Sequence, residues 1–156
     1  MLNLITLKRK LSALELASDE PTAIAGWTDA WVAYMQEAAA AGPIVGWALE
    51  AVPAQAMKTA LQGMAMPGAG AAALQAGIVA FWAAMVATPF TYFAGAVAIT
   101  PPPGISSMAS LLVGSFAQNL LAPSQRIAMG RIAEVFHTAN QGGTVTYASP
   151  PPVPIV

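Results

Sequence analysis

Charge is what this chain has least of. Only 8% of its 156 residues are Asp, Glu, Lys or Arg, against roughly 25% in an average soluble domain, while 56% are apolar. An isolated domain stays dispersed through its surface charge, so much of this surface is expected to be covered by other protein or by lipid. The net charge of -1 indicates neither the basic footprint of a nucleic-acid binder nor a field for acidic partners. Cysteine is missing altogether, which excludes a disulfide scaffold, a thiolate metal site and a cysteine nucleophile. Histidine occurs once, at His137, and the carboxylates are not clustered, so no metal centre is expected. The length suits one domain with a real core.

The few charges are unevenly placed. Lys8, Arg9, Lys10, Glu15, Asp19, Glu20, Asp29, Glu37, Glu50 and Lys58 fall in the first part, and Arg126, Arg131, Glu134 and His137 near the end. The whole stretch 59–125 between them lacks Asp, Glu, Lys, Arg and His. The N-terminus, "MLNLITLKRKLSALEL", is apolar before it is basic. That reverses the order of a signal peptide, and the segment is read as mature sequence made in the cytoplasm.

Periodicity argues for helices. Leu4, Leu7, Leu11 and Leu14 repeat at alternating spacings of three and four, an amphipathic stripe. Ser18-Asp19-Glu20-Pro21 reads as a helix start, with Ile24, Trp27, Trp31, Tyr34 or Met35, and Ala38 on one face and a stop at Gly42-Pro43. A further helix is expected from Pro53 to about Met66, after a short helical turn. In 69–87, Leu74, Ile78, Phe81, Trp82 and Met85 share one face, while Ala69, Ala73, Ala76, Ala80, Ala83 and Ala87 form a small-residue stripe on another. A helix apolar all round is buried on several sides, and the stripe predicts a closely approaching neighbour at Ala76 and Ala80. "FTYFAGAVAITPPPG" predicts an extended or irregular connection. Helices follow over 106–121 and from Pro123 to about Ala139, and Thr144 to Tyr147 reads as a short strand. Pro150-Pro151-Pro152 reads as polyproline II. The fold class is all-α: a bundle of about five to six helices spanning 1–143, with an extended C-terminal arm over 144–156.

No constellation for catalysis is evident. Ser124, Glu134 and His137 share one predicted helix, but a hydrolase also needs a positioned nucleophile and oxyanion donors. A solvated face near a helix C-terminus explains them better. "GMAMPGAGAAA" and "NQGG" lack the Gly-Lys-Ser/Thr of a phosphate loop and read as linkers. Lys8-Arg9-Lys10 reads as the wet side of its helix rather than a nucleic-acid contact. Trp27, Trp31, Trp47 and Trp82 are spaced as core or interface anchors rather than a ligand platform. The interface candidates are Trp27, Trp31, Ala76, Ala80, Trp82, Thr144, Val145, Tyr147, Pro154, Ile155 and Val156. No catalytic, cofactor-binding or metal-binding residue is assigned. A lone strand needs a sheet edge, its own or a neighbour's, and the arm is expected to reach onto an adjacent subunit with Pro154-Ile155-Val156 as an apolar plug.

The stretch "ITPPPGISSMASLLVGSFAQNLLAPSQRIAMGRIAEVFHTANQGGTVT", roughly residues 99–146, resembles small Ala/Pro-rich structural proteins encoded among the tail and neck genes of tailed phages and phage-derived particles. The features that carry the resemblance are Thr100-Pro101-Pro102-Pro103-Gly104, an uncharged helix, a helix ending His137-Thr138-Ala139-Asn140, and the strand Gly142-Gly143-Thr144-Val145-Thr146. The resemblance implies a non-enzymatic subunit of a virion or phage-like particle, assembled in the bacterial cytoplasm. Its partners would be copies of itself and other particle proteins, with no small-molecule substrate and no cofactor.

The alternative is a holin-like membrane protein with spans at about 69–87 and 106–121. The first would be about 28 Å long as a helix, close to a hydrocarbon core of ~30 Å. Against insertion, Ser107, Ser110, Gly114 and Gln118 align into a polar stripe with Asn119 beside it. Those amides would need partners in lipid, and no Lys/Arg cluster flanks either segment to set orientation.

Overall fold

Helix starts are set by short polar side chains that satisfy the free amides of the first turn. In the computed structural model, which describes residues 2–14, 19–37, 51–66, 68–93, 95–119, 121–147 and 153–155, the Asn3 carboxamide accepts from the Ile5 amide at 2.9 Å to open α1 (Leu4–Ser12). Asp19 accepts from Thr22 at 2.8 Å and opens α2 (Glu20–Met35), with Pro21 in its first turn. α3 (Ala51–Ala60) is shorter than its expected 53–66, because the chain breaks into turns from Leu61 onward. α4 runs Gly70–Ala87 and is followed by the single turn α5 (Pro89–Tyr92). A 3-10 turn (Pro103–Ser107) leads into α6 (Met108–Asn119), and the Ser124 hydroxyl caps α7 (Gln125–Ala139). α2 ends at Met35, about six residues short of the helix expected to reach about Ala41, while the expected stop at Gly42-Pro43, and Trp47, lie outside the described residues.

The six longer helices close a circuit in which α1 packs on α2, α2 on α3, α3 on α4, α4 on α6, α6 on α7, and α7 back on α1. Its middle is aromatic. Trp31 is buried, with the rings of Phe81 and Phe136 edge-on at 6.2 and 5.9 Å and Tyr34 at 5.4 Å. Rings in such tilted pairs contribute about 0.5–1.5 kcal/mol beyond the area they bury. Around them pack Leu7 and Leu11 of α1, the expected inner face of α4 (Leu74, Ile78, Phe81, Trp82, Met85) and Ile132 and Phe136 of α7.

The segment expected as an extended or irregular connection contains a strand, β1 (Ala96–Thr100). β2 (Thr144–Tyr147) pairs with it antiparallel, Ile99 facing Val145 and Thr100 facing Thr144. β3 (Val153–Pro154) adds to the other edge of β2. The arm therefore folds back onto its own chain, contrary to the expectation that it reaches onto an adjacent subunit. The reason lies in Val97, Ile99 and Thr100, β-branched residues suited to a pleated edge and supplied within the chain. Val145 and Ile155 are buried in the common core, and the Ile155 amide donates to the Gly143 carbonyl at 2.9 Å. Pro154 is tolerated because β3 is an edge strand. The polyproline run 150–152 and Val156 lie outside the described residues.

Asn140 joins the two parts. It ends α7, its amide donating back to the Phe136 and His137 carbonyls, and it is only 1% exposed. Its side-chain oxygen accepts the indole N–H of Trp82 at 2.9 Å, and its nitrogen donates to the Met35 sulfur at 3.4 Å. Two residues later Gly142 takes a φ of 85°, a left-handed conformation that glycine adopts without strain, and the chain turns into β2. Gly104 lets the 3-10 turn press on the same corner, since a Cβ there would sit 2.8 Å from the Ala139 carbonyl oxygen.

Asn140→Leu keeps the volume but leaves the Trp82 indole N–H buried and unpaired. We expect a loss of about 1–3 kcal/mol, seen as a lowered Tm in thermal circular dichroism. In that background Trp82→Phe should cost less than it does in the wild type. Strictly additive losses would mean that the Trp82–Asn140 bond carries no coupling.

Candidate interaction surfaces

Most of the residues singled out as interface anchors are used inside the chain. Trp31 and Trp82 are core residues, and Trp27 packs half-buried against Phe136 at 5.9 Å. Val145 and Ile155 are buried, while Thr144 and Tyr147 are half-buried within their own sheet. Pro154 is exposed. Aromatic residues at helical spacing suit a core and an interface equally, and in this chain the core has taken them.

The alanine stripe is placed differently from expectation. Ala76, Ala83 and Ala87 are exposed and Ala80 is half-buried. The close approach of α3 falls instead on Gly77, where a Cβ would lie 3.0 Å from Leu61 and 3.3 Å from Met57. Leu74, Ile78 and Phe81 claim the interior, and at 3.6 residues per turn this leaves Gly77 beside α3 and turns Ala76 outward.

What α4 shows to its surroundings is wholly apolar: Ala72, Ala76, Val79, Ala83 and Val86, with Val79 46% exposed. Beside it a groove of about 600 Å³ runs along α3, lined by Val52, Gln55, Ala56, Thr59, Ala60 and Ala80. On the other side the Gln75 carboxamide oxygen accepts the Ala109 amide at 2.6 Å, holding the first turn of α6 against α4. α6 turns Ser110, Leu111, Val113, Gly114 and Ala117 outward, Val113 being 59% exposed. The segment without charged side chains thus presents an uncharged outer side on both α4 and α6. The valines on it were not singled out from sequence, since β-branched residues on an apolar helix suit an inner face equally well.

Ser124, Glu134 and His137 do not converge. The Ser124 oxygen caps its helix, Glu134 pairs with Lys8 at 2.6 Å, and His137 Nδ1 lies 2.8 Å from the Tyr34 hydroxyl. Burial drives the Tyr34 pKa above its ordinary value, so the phenol in this hydrogen bond stays protonated. Desolvation lowers the His137 pKa, which favours the neutral imidazole, whose other nitrogen, Nε2, lies 3.3 Å from the Gln141 side-chain nitrogen. Among the described residues, no group of three or more His, Asp or Glu could hold a metal ion. Comparison with protein-family models, with curated proteins and with solved structures finds no match to this chain.

Two expectations follow from this geometry. Ala76→Leu should leave Tm nearly unchanged, whereas Gly77→Leu should overpack the α3–α4 contact and cost at least about 1–3 kcal/mol. Equal effects of the two substitutions would contradict the placement of the contact.

The second concerns pH. A histidine with a depressed pKa is neutral in the fold, while the unfolded chain takes up its proton near pH ~6.5. Stability is therefore complete above that pH and declines as pH falls through it toward the folded value. Tm should drop between about pH 7 and 5, and His137→Gln should flatten that drop. An unaltered pH slope in the variant would remove His137 from this role.

Proposed function

We propose that this chain is a non-enzymatic structural subunit of a phage or phage-like particle, working by protein–protein assembly with copies of itself and other particle proteins. The observation that carries the reading is the uncharged outer side of α4 and α6. Apolar area in water contributes about 25 cal/mol per Å² when it is covered, and a stable interface buries about 800 Å² on each partner. A face with no charge on it has neither repulsion nor ion desolvation to oppose that covering. The particle context rests on the resemblance over residues 99–146.

A membrane reading has one specific observation in its favour. α4 is the single described helix long and apolar enough to cross a bilayer, with a mean hydropathy of 1.7 and 39% of that span buried inside the fold. Insertion would require α4 to give up the Trp82–Asn140 bond and the packing of Phe81 on Trp31, which weighs against it.

Light scattering at tens of micromolar protein separates the outcomes. The wild type should form oligomers, and Val79→Lys combined with Val113→Lys should shift it to monomer with unchanged far-ultraviolet circular dichroism. A monodisperse wild-type monomer would refute assembly through this face. Retention in carbonate-washed membranes would favour the lipid reading.

A further inference from the structure

The chain has six Lys and Arg residues, and four of them line one cleft between α1 and α7: Lys8, Arg9, Arg126 and Arg131. The two helices run antiparallel, since Lys8 meets Glu134 while the Gln125 side chain reaches the Leu14 carbonyl at the far end of α1. Two charges are occupied, Lys8 by Glu134 at 2.6 Å and Arg131 by the Gln118 carbonyl at 3.0 Å. Arg9 and Arg126 are exposed, and among the described residues neither has an ion-pair partner. Against the four cations, the described residues of the cleft offer a single carboxylate, that of Glu134.

Folding alone does not favour this gathering. Arg126 lies in the first turn of α7, where the helix dipole is positive and a cation is disfavoured, and like charges collected in one cleft repel each other. A chain that places so few charges anywhere has concentrated its positive ones where an anion would relieve them. Ile5, 76% exposed, and the exposed Ile127 line the same cleft, so the occupant must also offer apolar contact. A phosphodiester backbone has none to offer, and among the described residues the lining holds no aromatic ring on which a base could stack. A flat bilayer surface does not fill a concave cleft between two helices.

We propose that the α1/α7 cleft binds an acidic, amphipathic segment of a partner protein, its carboxylates meeting Arg9 and Arg126 and its aliphatic side chains packing on Ile5 and Ile127. In the helix circuit the α1–α7 step lies opposite the α3–α4 step, so this surface is distinct from the uncharged face and does not depend on what covers it.

Fluorescence anisotropy tests the proposal on the full chain with three labelled probes: a Glu/Leu amphipathic peptide, the same peptide with Lys in place of every Glu, and a single-stranded oligothymidine. The Glu peptide should bind at least about tenfold tighter than the other two, more weakly as salt rises. The double variant Arg9→Glu/Arg126→Glu should lose at least about tenfold of that affinity, and Val79→Lys should leave it unchanged. Indifference between the Glu and Lys peptides, or binding that survives the double variant, would overturn the proposal. Tighter binding of the oligonucleotide would also overturn it and assign the cleft to phosphate.

Discussion

One buried amide holds the parts of this molecule in register. Asn140 accepts from Trp82 on α4 and donates to Met35 at the end of α2, while its own backbone closes α7. In a core built almost entirely of aliphatic and aromatic side chains, most sliding motions of one helix over another cost little, because one apolar contact replaces another. A buried polar group is different, since each lost partner leaves a desolvated donor or acceptor. The bond to Trp82 therefore selects one arrangement among many that apolar burial alone would allow. It also decides where β2 begins, because the turn at Gly142 starts from the end of α7 that Asn140 anchors.

That anchoring explains the fate of the C-terminal arm. β2 emerges beside β1, the chain's own β-branched edge, and satisfies its backbone there. β3 follows on the other side, and Ile155 is buried. An arm that closes on its own domain still leaves an edge strand, but a short one carrying a proline, which limits further pairing.

Charge divides the molecule into two regions. The segment from α4 through α6 carries none, and its outward side chains are apolar or uncharged polar. α1 and α7 hold the cationic cleft across the circuit. Apolar contact is non-directional and grows with area, whereas paired charges choose a partner and an orientation. A subunit carrying both kinds of surface can associate broadly through one and selectively through the other.

Much of the fold was legible in the residues themselves. Capping side chains and the spacing of large apolar residues located α1, α4, α6, α7 and the start of α2 to within a few positions, because those signals act within one or two turns of the chain. The inner face of α4 was legible for the same reason: bulk at helical spacing seeks the interior wherever that interior lies. Tertiary structure alone decided the rest. Whether a tryptophan anchors a core or an interface depends on what surrounds it, and Trp31 and Trp82 found that surrounding within the chain. The turn of Gly77 rather than Ala76 toward α3 was decided by how α4 rotates to seat Phe81 and Trp82. Arg9 and Arg126 became neighbours only because α1 and α7 lie antiparallel. Local pattern specifies an element and its buried side, but the meeting of residues far apart in sequence depends on packing the whole core at once.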